Sequence, residues 1–484
     1  MIQHEIKIHD KKQFELKLHY NFRKERRKGE YFIETYFFVP NVLGINRHSF
    51  HKKNFYDSIK NYIRFATPKF TLSELISNQN SPLIKLSDLI GEEKKHNLPN
   101  ETEEIEAAIK IFSVVFSATI RTSFLKMRKT NHEKLRNELD DFITLTKSII
   151  ATYRKLQQSM KDRIRISEVF AFGDEYISLV IEKYLFMILD EHSDFIKNNA
   201  DNIENEIYGF IRNEVNRRKE RGYRSVVKID SSNEEMLFRF STLKKYFSSI
   251  LSLERDVERE GTILEQLLFS LAAGMAMLFA TAVAFWGQTT FGNLTMSFFI
   301  VLVVSYMFKD RIKELLREIM KKSVFKYLFD YKYILFIDEK IKIGIIRESF
   351  DFIKRKKLPE RIVMLRNLYR TKEFDNVFQK EKIILYRKKI NLKSKFLKNI
   401  EKDELKTISD IFRFDVSRFL NKMDDPHKPL YVLTDNGFKK IYGRRVYHIN
   451  LILRIVRDNK EQLKRFRLVL TKKGIERIEP VAAE

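Results

Sequence analysis

The chain of 484 residues contains no cysteine, and that absence excludes a disulfide framework, a thiolate-held metal and a cysteine nucleophile. It fits a reducing compartment. Glycine is scarce, at 14 positions. Sites that cradle phosphate on bare backbone therefore have little raw material, and no phosphate-binding loop, dinucleotide fingerprint or nucleophile elbow is present. An ordinary nucleotide-driven or hydrolytic enzyme is disfavoured. No catalytic residue, metal site or cofactor is expected.

Proline occurs at 40, 68, 82, 99, 359, 426, 429 and 480, so positions 100–358 have none. Most of that tract reads as helix. Tryptophan occurs once, at Trp286. Acidic residues are in deficit, 65 against 91 basic ones, giving a formal net charge of +26. Such an excess favours anionic partners, either acidic lipid headgroups or nucleic acid. The N-terminal twenty residues alternate charged and apolar side chains, which predicts no cleavable secretory signal.

Against this basic background, Gln266–Phe308 carries no charged residue over 43 consecutive positions. Leu267–Trp286 is long enough to cross a bilayer, since twenty helical residues rise about 30 Å. A second span is expected at Phe291–Phe308. The polar stretch GQTTFGN lies between them, with Gly287, Gly292 and Asn293 as helix-ending residues. Lys309, Arg311, Lys313, Arg317, Lys321 and Lys322 follow at once, whereas the loop has no basic residue. The positive-inside rule then places both flanks in the cytoplasm of a bacterial cell, with two spans in the inner membrane. Trp286 and Tyr306 suit the membrane interface, as do the six basic residues. Ser270, Gly274, Ala276, Ala280 and Ala284 keep small residues near one face of the first span, where a second helix can approach closely. The run Ile111–Ile120, bounded by Lys110 and Arg121, is too short to span and reads as core helix.

The fold class expected is an α+β membrane protein. A two-helix transmembrane hairpin is preceded by a helical cytoplasmic region and followed by a β-rich cytoplasmic domain. The boundaries are 1–65 for a β-rich N-terminal segment, 66–260 for the helical region and 261–308 for the hairpin. A juxtamembrane amphipathic basic helix over 309–330 and the β-rich domain over 331–484 follow. Phe14, Leu16, Leu18 and Tyr20 alternate with polar residues, the period of a half-buried strand, and Tyr31–Val39 follows as a second. Ile105, Ile109, Phe112, Phe116 and Ile120 mark one helical face. A helix capped by Ser231–Asn233 is expected to run to Glu260, and FGDEY (Phe172–Tyr176) reads as a helix break. Further helix is expected at Leu397–Ile408, and Asn436-Gly437 signals a hairpin turn.

Two clusters resemble ligand sets at first sight. His48 and His51 are flanked by Arg47, Lys52 and Lys53, which repel a cation, and read as surface histidines. Asp424, Asp425 and His427 read as a proline-bounded turn. Basic clusters recur at 23–28, 217–224, 354–357, 387–389 and 439–445, with Tyr223 and Tyr442 interleaved, but no nucleic-acid-binding motif accompanies them. The functional expectation is a membrane-anchored cytoplasmic scaffold or sensor. Its partners are a bilayer with acidic headgroups and a cytoplasmic protein, with homo-oligomer formation also open. The alternatives are an oligomeric pore-forming effector and a membrane-tethered nucleic-acid binder.

Overall fold

The computed structural model describes residues 3–21, 28–96, 101–193, 196, 201–292, 295–324, 328–337, 341–368, 380–393, 407–435, 437–457 and 460–481. The fold mixes helix and sheet in two compact units. One is built from residues within 1–63, 253–403 and 407–484, the other from residues within 64–252. Residues 397–406 of the helix expected near the C-terminal strands lie outside the described residues.

In chain order the elements are strands β1 (Gln3–Asp10), β2 (Gln13–Asn21) and β3 (Lys28–Pro40), helix α1 (Lys52–Asp57) and strand β4 (Ile59–Phe65). Helices α2 (Leu72–Ser77), α3 (Pro82–His96), α4 (Glu101–Met127), α5 (His132–Ser159), α6 (Ile164–Glu191), α7 (Asp201–Glu220) and α8 (Glu234–Ser248) make up the helical unit. Strand β5 (Glu254–Arg259) then leads into α9 (Thr262–Phe291) and α10 (Met296–Val324), followed by β6 (Tyr331–Ile337) and β7 (Ile341–Ile353). The chain closes with α11 (Glu360–Asn367), β8 (Glu381–Lys393), β9 (Thr407–Asp415), α12 (Ser417–Leu420), β10 (His427–Thr434), β11 (Gly437–Arg444), β12 (Tyr447–Arg457), β13 (Lys460–Thr471) and β14 (Gly474–Val481).

The sheet unit holds an eight-stranded sheet of order β14-β13-β12-β3-β8-β7-β6-β5 and a four-stranded one of order β1-β2-β9-β4. Each mixes strands from both ends of the sequence. β3 lies between β12 and β8, antiparallel to both. It is buried on both faces, which is why Tyr31–Val39 reads as a nearly unbroken apolar run. Tyr36 and Phe38 pack with Ile362 and Leu365 of α11. Phe37 meets Phe414 of β9 at 5.2 Å between ring centroids, and Tyr31 meets Tyr20 of β2 at 4.7 Å. Phe55, Phe350 and Tyr386 extend this aromatic layer. Phe14, Leu16, Leu18 and Tyr20 are buried, as their alternation predicts.

Four expectations fail in instructive ways. The helix after Asn233 ends at Ser248, and Glu254–Arg259 forms an edge strand paired with Tyr331–Phe336. Its six residues are all exposed and so carry no burial pattern to separate strand from helix. Asn233 does not cap through its side chain; instead that side chain bonds Lys228 and Ser231 and closes the preceding loop. FGDEY is not a helix break but lies inside the continuous α6. Gly173 is there because the Tyr153 hydroxyl occupies the space a Cβ would fill. That hydroxyl donates to the Phe170 carbonyl at 3.1 Å. Ile408, expected to end a helix, belongs to β9.

The helical unit is centred on α6. Ile105, Ile109, Phe112, Phe116 and Ile120 of α4 are fully buried in its core, on the single face their spacing marks.

Candidate functional site

Among the described residues two helices are long and apolar enough to cross a membrane, Thr102–Met127 and Thr262–Phe291. They differ in burial. Half of the apolar window of the first is covered within the helical unit, against 11% for the second. The first is thus accounted for as core, and the second presents its apolar side chains outward: Leu267, Leu271, Leu278, Phe285 and Trp286 are all more than half exposed.

α9 and α10 run antiparallel as a hairpin inserted between two paired strands, for Arg259 of β5 lies opposite Tyr331 of β6. α9 does not stop at Gly287 but continues to Phe291, and α10 starts only at Met296. The basic segment expected as a separate juxtamembrane helix is the continuation of α10 as far as Val324. Three contacts set the register of the arms. The Ser305 hydroxyl donates to the Ala280 carbonyl at 3.4 Å. A Cβ on Gly287 would lie 3.1 Å from Val301 and 3.4 Å from Phe298. The Arg317 guanidinium lies 5.0 Å from the Phe269 ring centroid. By this register Lys309, the first charge on α10, is level with Met277.

Of the five small residues nominated for packing, Ala276 is buried and Ala280 and Ala284 are half-buried, whereas Ser270 and Gly274 are exposed. Ala272, Gly287 and Ser305 complete the buried contact and escaped the sequence reading. The four-residue step from Ala272 through Ala276, Ala280 and Ala284 was the available signal. Hydroxyls along the hairpin bond its own carbonyls: Ser270 to Gln266, Thr281 to Met277, and both Thr289 and Thr290 to Trp286. Such pairing removes the penalty a free hydroxyl pays outside water.

Among the interface residues nominated, Trp286 and Tyr306 are exposed. The Lys309 ammonium sits 3.4 Å from the Tyr306 ring centroid. Arg311 pairs with Glu314 at 3.3 Å, Lys313 is half-buried, and Lys321 and Lys322 lie in the last turns of α10.

The other concentrations of chemistry are closed. In the sheet unit Lys388 Nζ lies 2.7 Å from Asp410 and 3.4 Å from Glu348, its direct cross-strand neighbour. Asn61 donates to Glu348 at 2.9 Å and Tyr20 to Asp410 at 3.4 Å. Burial pushes the Glu348 carboxyl above its ordinary pKa despite Lys388. Burial also pulls Lys388 down, but Asp410 and Glu348 outweigh it and its pKa rises. With Lys388, Glu348 and Asp410 almost fully buried, this network ties strands together rather than meeting a substrate. In the helical unit Arg154 bridges Asp174 at 2.8 Å and Glu214 at 2.7 Å, Arg217 binds Asp174 at 3.0 Å, and Arg239 binds Glu175 at 2.7 Å. Burial lowers the Arg154 pKa, and its two carboxylates more than restore it.

These networks absorb parts of two basic clusters. Arg217 and Arg218 belong to the helical interior, Lys388 is buried, and Lys389 pairs with Glu30. Lys439, Lys440 and Arg444 remain exposed on the β10–β11 hairpin, beside exposed Tyr431, Phe438 and Tyr442. Asp424 pairs with Arg445 and Asp425 with Lys472. His51 caps α1. Among the described residues no group of three or more potential ligands converges to hold a metal. The chain matches no protein-family model, no curated protein and no solved structure.

Proposed function

We propose that this protein is a membrane-anchored scaffold or sensor, held by the α9–α10 hairpin, with both structured units on the cytoplasmic side of a bacterial inner membrane. The observation that carries the reading is the outward apolar surface of Thr262–Phe291, a helix of spanning length with little of its window covered. A soluble protein rarely leaves so large a contiguous apolar surface to water. The basic residues from Lys309 onward supply the positive flank that retains a segment on the cytoplasmic side and draws it to acidic headgroups.

Arg259 and Tyr331 are already cross-strand neighbours, so residues 262–324 can be replaced by a tight turn without parting β5 from β6. The full chain should float with acidic-lipid vesicles in a density gradient, and the deleted chain should stay at the bottom with its β-sheet circular dichroism intact. Flotation of both would refute anchoring through the hairpin.

A tether for single-stranded nucleic acid is the second reading, favoured by the lysines and aromatic rings of the exposed β10–β11 hairpin. Stacking rings with neighbouring cations suit a single strand. That reading requires affinity that falls steeply with salt and is lost in Tyr442→Ala. The pore reading draws less support, because Ala276, Ala280 and Ala284 turn toward the hairpin's own second arm.

A further inference from the structure

The register of the two arms limits what kind of membrane the hairpin fits. α9 alone would span an ordinary bilayer, but α10 has only the 13 residues Met296–Phe308 before its first charge. At 1.5 Å per residue that is about 20 Å, against about 30 Å of hydrocarbon in a typical bilayer. The arms are locked side by side by Ser305 on Ala280, Gly287 against Val301 and Arg317 over Phe269. Seating Leu267–Trp286 in hydrocarbon would therefore drag Lys309, Asp310, Arg311, Lys313 and Glu314 down beside it.

Of the ways of avoiding that, two place the turn on opposite sides of the far boundary. The hairpin could stop short, leaving its turn inside the hydrocarbon. The turn is polar, with Gln288, Thr289 and Thr290 before it and Thr295 after it, and a lipid-exposed turn leaves backbone groups without partners. Alternatively the lipid could yield: a short span is accommodated by thinning the bilayer around it, a cost graded by the ångström and shared among many lipids. The second is the cheaper.

We propose that the hairpin is matched to a thin bilayer: it crosses where the hydrocarbon is near 20 Å, and thins a thicker membrane around itself. The Tyr306–Lys309 pair marks the near boundary, and the threonine-rich turn marks the far one. This rests on the membrane reading above, and the test separates the two.

Because the chain has no cysteine, Thr290→Cys places a single thiol at the turn. The full-length variant is added to preformed phosphatidylcholine vesicles with myristoleoyl, oleoyl or erucoyl chains. A charged maleimide is supplied either outside or trapped in the lumen. In parallel, the sole tryptophan, Trp286, is quenched by lipids brominated near the headgroups or near the chain ends. The expected result is lumenal labelling at least about fivefold stronger in the shortest chains than in the longest, following the mismatch. Equal lumenal labelling at every chain length would overturn the match to thin bilayers. Absent lumenal labelling with Trp286 quenched from the chain ends would mean a hairpin that turns back inside the membrane, and would overturn it too. Unchanged outside labelling with no bromolipid quenching would remove the membrane reading itself.

Discussion

Single residues hold the strongest commitments in this structure. Gly173 yields its side-chain space to the Tyr153 hydroxyl, which is buried and bonded to Phe170. Gly173→Ala should destabilise the helical unit by about 1–3 kcal/mol, the usual cost of overpacking, read as a lowered denaturant midpoint. Tyr153→Phe on the same background should recover part of it. Lys388 is the buried cation shared by two carboxylates, so Lys388→Met should cost about 3–5 kcal/mol. Combining it with Glu348→Gln and Asp410→Asn should cost less than the single change, and a triple variant no more stable than K388M would contradict this account. Glu15 sets an acid limit. Burial pushes its pKa up, but Arg413, Lys17 and Lys7 outweigh that and hold it at about 2, below its ordinary 4.5. A depressed carboxylate contributes stability above its unfolded pKa, and that contribution is lost as pH falls from 4.5 toward 2. It is on the order of 3 kcal/mol at most. Glu15→Gln should flatten that part of the stability profile and change little below it. None of these pairings was legible in the chain. Lys388 reads there as one of three consecutive basic residues, and the two carboxylates that define it are Glu348 and Asp410, on other strands.

At the scale of elements, periodicity identifies a strand or helix where one face is buried and carries no signal where none is. The alternation of β2 and the α4 stripe emerge as the strand and helix their patterns predict. β5 is uniformly exposed and took the identity of its neighbour in the sequence, although pairing with β6 makes it a strand. The hairpin shows the same rule in reverse. A charge-free window locates its apolar part, but only the facing arm reveals which small residues touch. Gly287 meets Val301 and Phe298, whereas the position of a Cβ on Gly274 is open. Gly287→Leu should therefore part the arms at a cost of about 1–3 kcal/mol, seen as a lower thermal midpoint of helical circular dichroism in detergent. Gly274→Leu should not lower it. Equal losses would mean that the arms pack through another face.

The whole molecule is organised by pairings that span its length. β3 lies between β12 and β8, and β2 pairs β9, so neither sheet is complete without the C-terminal strands. Local patterns list the strands but carry no record of their order, because cross-strand partners four hundred residues apart share no local signal. A chain ended before Tyr447 would leave β3 without β12 and open Tyr36 and Phe38 to water. It should aggregate, while one ended after Val481 should remain dispersed under the same detergent conditions.

That long-range closure has a consequence in time. A polypeptide is made from its N-terminus at roughly 5–20 residues per second. The hairpin ends at Val324, whereas β12, the partner that β3 awaits, ends at Arg457. The apolar arms thus leave the ribosome on the order of ten seconds before the sheet that carries them can close. During that interval they are tethered to an unfinished body, and under the anchoring proposed above a bilayer is the solvent that suits them. Under that anchoring, the arms are available to a bilayer before the sheet that carries them is complete.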